Sequence, residues 1–155
     1  MQDAVFETDN ERFEVVAFRV AGQDFCFDLK SVREIRGWTE TTMLPHAQSF
    51  VKGVINLRGS VVPVVDLSER LGLGTTDPGE RHVIIIAVFD GQTIGLLADV
   101  VSDLMSFSRS EIQPIPEIVD DAVRRFISGV IVVEDRMIRK MDLGLVLPGS
   151  SDAAA

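Results

Sequence analysis

Two aspartates, Asp66 and Asp142, stand at equivalent places in two similar stretches of the sequence. Paired carboxylates can share a proton and activate water. That chemistry needs a small hydroxyl residue and then a glycine after each aspartate. Here the contexts are Asp66-Leu67-Ser68 and Asp142-Leu143-Gly144. The bulky leucine favours a strand-end aspartate that caps a short helix. A duplicated β-barrel aspartyl hydrolase therefore remains only a remote alternative. His46, His82 and the single cysteine, Cys26, lack the spacing of metal ligands. Ser60 and Ser102 have no nucleophile-elbow context, and Gly72-Leu73-Gly74 reads as a helix cap rather than a phosphate loop. No catalytic residue, metal or cofactor is expected.

The segment Phe50 to Leu73, FVKGVINLRGSVVPVVDLSERLGL, carries more information. Gly53 and Gly59 permit tight backbone around a hairpin, and Arg58 lies at its tip between two apolar runs. Pro63 inside an apolar strand argues for an edge or a bulge. An arginine on a rigid turn can anchor a partner's carboxylate; it can equally be an ordinary solvated turn residue. In Ser31 to Gly37, alternation puts Val32, Glu34 and Arg36 on one strand face and Arg33 and Ile35 on the other. That mixed face is either solvated or a protein interface.

Positioning these residues falls to strands. The 155 residues include 21 Val, against 12 Ile and 12 Leu, and 46% of the chain is hydrophobic. Such an excess of β-branched side chains favours sheets over a helical bundle. Strands are expected at Phe13 to Val20, Asp24 to Asp28, Val32 to Gly37, Val54 to Leu57 and Val61 to Asp66. Short helices are expected at Ser68 to Leu71 and near Asp120 to Phe126. Residues 13–35 slide onto 82–104 with a shift of 69, matching Gly22 with Gly91 and Glu34-Ile35 with Asp103-Leu104. Beyond that the shift is 76, matching Gly53-Val54-Ile55 with Gly129-Val130-Ile131. The chain thus reads as a duplicated β-unit, with barrel-forming repeats at about 13–71 and 81–147 that share a core. Residues 1–12 read as a flexible lead-in and 148–155 as a disordered tail.

Net charge is -9 and tyrosine is absent, which disfavours nucleic acid as a partner. The longest apolar runs are far short of a membrane span. A cytoplasmic location without direct membrane insertion is expected.

Lys52-Gly53-Val54-Ile55-Asn56-Leu57-Arg58-Gly59 running into Val61-Val62-Pro63-Val64-Val65-Asp66-Leu67 resembles the CheW-like family of bacterial chemotaxis coupling proteins. Val32 to Gly37, Gly95 to Leu104 and Ile112-Gln113-Pro114-Ile115-Pro116 support the match, which covers about residues 13–147. The resemblance implies a mainly β fold: two five-stranded SH3-like β-barrels sharing one hydrophobic core, with a few short helices. It also implies a non-enzymatic adaptor. Its partners would be the regulatory domain of the histidine kinase CheA, the cytoplasmic tips of chemoreceptors and, within arrays, other copies of the domain. A divergent scaffold serving surface motility or second-messenger control is the alternative. Carried over by motif, the partner-binding residues are Val32, Glu34, Gly53, Arg58, Gly59, Gly95, Val101, Ser102, Asp103 and Leu104. One departure stands out. Arg139 and Lys140 occupy successive positions of a strand where the family has an apolar run, so one of them must point inward unless the strand is bulged or short.

Overall fold

The computed structural model describes residues 11–148. The proposed tail beyond Pro148 and residues 1–10 of the lead-in lie outside them. Arg12 already belongs to the first strand, which starts one residue earlier than the sequence suggests. Ten strands follow: β1 (Arg12–Val20), β2 (Gln23–Asp28), β3 (Val32–Gly37), β4 (Val51–Leu57), β5 (Ser60–Asp66), β6 (Val83–Phe89), β7 (Gln92–Ala98), β8 (Val100–Ser108), β9 (Ile127–Val133) and β10 (Arg136–Met141). Three one-turn helices accompany them: α1 (Leu67–Arg70), α2 (Asp121–Arg124) and α3 (Leu143–Val146).

The duplication is visible element by element. Shifted by 76, β4 and α1 fall on β9 and α3 with identical bounds, and β5 falls on β10 except that β10 ends one residue earlier. Two-residue turns close four hairpins. At Ala21-Gly22, Arg58-Gly59 and Asp90-Gly91 both turn residues have positive φ, the geometry whose twist matches flanking strands.

The repeats are not the barrels. One sheet runs β8-β1-β2-β10-β9 and the other β3-β6-β7-β5-β4. Each therefore combines the first hairpin of one copy with the last three strands of the other. The expected units 13–71 and 81–147 are corrected accordingly. Linker length explains the exchange. β8 and β2 both pair antiparallel with β1, so the third strand of a barrel runs parallel to the second. To serve its own copy's barrel, the chain would have to return along the whole of β2, six residues or roughly 20 Å. The connection Leu29–Ser31 has three residues and reaches at most about 14 Å. In the second copy the connection is Asp99 alone.

Each sheet then closes on itself. Thr42, beyond β3, exchanges hydrogen bonds of 2.9 and 2.8 Å with Val54 of β4. Gln113, beyond β8, does the same with Val130 of β9 at 2.8 and 2.9 Å. Pro63 lies in β5 just before pairing with β7 begins at Val64, so its missing N–H is not needed there. The bulge lies in β4 instead, between Val51 and Gly53.

Three apolar clusters fill the molecule. Val15, Ala17, Cys26, Phe107, Ile131 and Ile138 fill the first barrel. Ile55, Leu57, Val62, Val64, Ile84, Ile86 and Leu97 fill the second. The largest, with Phe18, Phe25, Phe27, Ile85 and Leu96, lies on strand faces of both sheets and is the shared core. Cys26 is fully buried, and burial pushes its thiol up to about 12, with the field of Asp28 adding and that of Lys140 opposing. A raised thiol pKa favours the neutral form, so the stability it supports is full below about 9 and lost as pH rises toward 12. A thiol-specific reagent at pH 8 should leave the native protein unlabelled and label it fully in guanidinium; fast native labelling would contradict the packing.

Candidate protein-interaction surfaces

The β4–β5 hairpin presents Arg58 at φ +51 and Gly59 at φ +91. Asn56 Oδ1 accepts a hydrogen bond from the Gly59 N–H at 2.9 Å and locks the turn. A left-handed residue other than glycine stores strain of about 1 kcal/mol, so the fold holds Arg58 there against its preference. Its side chain stays 69% exposed, yet it is not free. It crosses the seam between the ends of the second sheet and ion-pairs with Glu34 of β3 in a very short contact. Arg36 adds a second pair to Glu34 at 3.4 Å. The hydrogen bond from Arg58, seconded by Arg36, holds the Glu34 carboxyl below its ordinary range. Ile35 and Val61 lie exposed beside this seam, at 43% and 68%. A shallow groove at the seam is lined by Arg36, Thr39, Thr42, Val54 and Val61.

The first barrel carries the counterpart. Asp103, which the repeat equates with Glu34, ion-pairs at 3.3 Å with Arg136 at the start of β10. Leu104, the counterpart of Ile35, is 67% exposed. Ser102 donates from its hydroxyl to the Ala17 carbonyl at 3.2 Å and so ties β8 to β1.

Ten residues were expected at the interface. The structure brings Glu34, Arg58 and Gly59 together on one barrel and Ser102, Asp103 and Leu104 on the other. Val32 and Val101 turn inward to pack on the shared core. Gly53 and Gly95 are buried. A side chain at Gly53 would overlap the Thr42 carbonyl that closes the second barrel, and one at Gly95 would meet Ile84 Cγ2 at 2.8 Å. Packing alone therefore requires glycine at both positions. Arg136 escaped the sequence reading because the equivalent hairpin tip is Glu134-Asp135 and the cation sits one residue further on.

Asp66 is fully buried. Its oxygens accept from the Ser68 N–H at 3.1 Å and from the Thr76 N–H and hydroxyl at 2.7 Å each. Asp142, beyond β10 of the other sheet, is exposed and caps α3 through the Gly144 N–H at 3.2 Å. Both do the capping work that their sequence contexts favour, and no hydrogen bond joins them.

Strand β10 accommodates its two successive cations by alternation and a slip of register. Lys140 pairs with Gly129 on the barrel-interior side, at the mouth near Asp28 and Ser128. The register shifts between Lys140 and Met141, and Arg139 turns the other way, toward Phe25. Among the described residues no group of three or more His, Cys, Asp or Glu side chains comes together, and no helix is long and apolar enough to cross a membrane.

Two filled barrels, each with an acid–guanidinium pair and a bare aliphatic beside it, define a scaffold that works through contacts with other proteins. Residues 14–150 match the CheW-like domain, and the chain belongs to that family. It is 47% identical over 155 residues to the chemotaxis protein CheW of Rhizobium meliloti (strain 1021), covering 100% of both chains. To the probable chemotaxis protein CheW of Rhizobium etli it is 45% identical over 142 residues, 92% of each. The scaffolding protein TtCheW of Thermoanaerobacter tengcongensis has the same fold, with a TM-score of 0.77 and 30% identity over 86% of each chain. The protein is thus a chemotaxis coupling scaffold.

Proposed function

We propose that this chain couples the cytoplasmic tips of chemoreceptors to the regulatory domain of the histidine kinase CheA, on the cytoplasmic face of membrane receptor arrays. The observation that carries the reading is the Glu34–Arg58 pair with Ile35 and Val61 exposed beside it. An exposed ion pair contributes little to stability, so an arginine held across the seam by an acid is better explained by a partner. The flanking aliphatics offer an apolar contact for helical or β-barrel partners, while the charges set orientation. The Asp103–Arg136 surface gives the scaffold a second, pseudo-equivalent contact, as bridging requires. Other copies of the domain would compete for the same two surfaces within an array.

Arg58→Ala tests this. The variant should keep its circular dichroism and melting temperature within about 2 °C, since surface changes shift stability little. Receptor-stimulated kinase activity in a reconstituted receptor–CheA mixture should fall at least about tenfold, the loss expected of one anchoring charge contact. Undiminished pull-down of both receptor and kinase by the variant would refute the assignment.

A further inference from the structure

Strand β10 concentrates three cations, Arg136, Arg139 and Lys140, in a chain of net charge -9. Lys140 lies at the barrel mouth with Asp28 and Asp142; the two anions beside the arginines are already engaged. Asp24, only 9% exposed, receives Arg19 at 3.1 Å and Arg136 at 3.5 Å. Asp103 receives the other end of Arg136 at 3.3 Å. Arg139 is left over. Its Nη1 donates to the carbonyls of Asp24 and Met137 at 3.3 and 3.2 Å, and its guanidinium carbon lies 5.7 Å from the centre of the Phe25 ring. Its Nε is buried without a hydrogen-bond partner. Nη2 makes no hydrogen bond, and no carboxylate forms an ion pair with the group among the described residues. Burial lowers its pKa, with the field of Asp24 only partly opposing, yet a guanidinium stays charged throughout the accessible pH range.

The fold does not demand this cation. The repeat counterpart of Arg139 is Pro63, and the counterpart of Phe25 is Ile94. There the second barrel has an uncharged groove lined by Pro63, Gln92, Thr93, Ile94 and Pro148. One barrel thus meets the architectural need with proline, whereas the other carries a partly desolvated charge with no carboxylate in ion-pair contact among the described residues. A desolvated, unpaired cation is unfavourable unless an anion arrives. We propose that the Arg136–Arg139 edge of β10 is a docking point for an acidic segment of a partner protein, whose Asp or Glu carboxylate pairs with Nη2 of Arg139 against the Phe25 ring. This contact is separate from the Arg58 seam; it shares Arg136 with the Asp103 surface but rests on Arg139, which the receptor and kinase reading does not use.

The probe is a fluorescein-labelled Ala/Leu helical peptide bearing three glutamates on one face, compared with its glutamine counterpart by anisotropy on the full chain. The native protein should bind the glutamate peptide at least about tenfold more tightly than the glutamine peptide, a preference that shrinks with added salt. Arg139→Met, which keeps an apolar stem, should abolish the preference and raise the melting temperature. Arg139→Lys, which keeps the charge but not the planar fork, should retain part of it and serves if the methionine variant fails to fold. Equal binding of the two peptides by the native protein, or an undiminished preference in Arg139→Met or in Arg139→Gln, overturns the proposal.

Discussion

Cut in the loop Gly72 to Glu80, the chain should give two halves that are each unfolded as monomers and that regain the native β spectrum on mixing. The expectation follows from the exchanged topology. Residues before the cut supply β1 and β2 to one sheet and β3, β4 and β5 to the other. Alone, the β1–β2 hairpin loses both its neighbours, β8 and β10, and Phe18, Phe25 and Phe27 lose the surface that covers them. An isolated hairpin is marginal at best in water. Nor can the half rescue itself, because Leu29–Ser31 is too short to bring β3 back beside β1. Sedimentation of the mixture should show a 1:1 complex whose melting temperature rises with concentration. A half that is monomeric and shows a cooperative thermal transition would contradict the linker argument.

Arg70→Ala should cost about 3 kcal/mol, the largest loss expected from a single charged side chain here. Arg70 ends α1, but its partners are 75 to 77 residues away. Nε donates to the Val146 carbonyl at 3.2 Å and Nη2 to those of Leu145 and Leu147 at 3.0 and 3.5 Å. These are the orphan carbonyls at the end of α3, the repeat counterpart of α1. The same guanidinium lies 4.2 Å from the centre of the Phe50 ring and 5.0 Å from that of Phe126. Removal leaves polar groups unpaired in a partly buried setting and strips two rings of cover. For a domain of this size the melting temperature should drop by roughly 10 °C. Arg70→Lys should recover less than half of that, because an ammonium cannot serve three carbonyls and two rings at once. A shift of under 2 °C in Arg70→Ala would show that the guanidinium is incidental.

Local pattern carried much of the fold. Alternation and turn residues located the strands to within a few residues, and the Gly22/Gly91 and Gly53/Gly129 matches exposed the duplication. Gly53 and Gly129 recur for a physical reason that only the structure supplies: each lies where a loop backbone closes its barrel against β4 or β9. The exchange itself was written only in the lengths of Leu29–Ser31 and Asp99, which look like ordinary short turns. Which sheet a strand joins is a non-local matter that its own residues do not encode. The same holds for the site. Glu34 and Arg58 were both candidates, but their ion pair crosses a seam 24 residues apart in sequence. Arg70 gave no signal at all, since a basic residue at the end of a short helix is commonplace.

The two short connections also bear on ancestry. A half-length precursor with a three-residue or one-residue connection could complete a barrel only by lending its first hairpin to a second molecule, as swapped homodimers do. Tandem duplication would have joined such a pair end to end through the loop Gly72 to Glu80. Assembly then no longer depended on concentration, because the partner was covalently attached. Once fused, the two halves were released from symmetry. One half now carries Pro63 and the Arg58 turn, while the other carries Arg136 and Arg139. A homodimer would present two identical faces, whereas the fused chain presents two that differ, as binding two unlike partners at once would require.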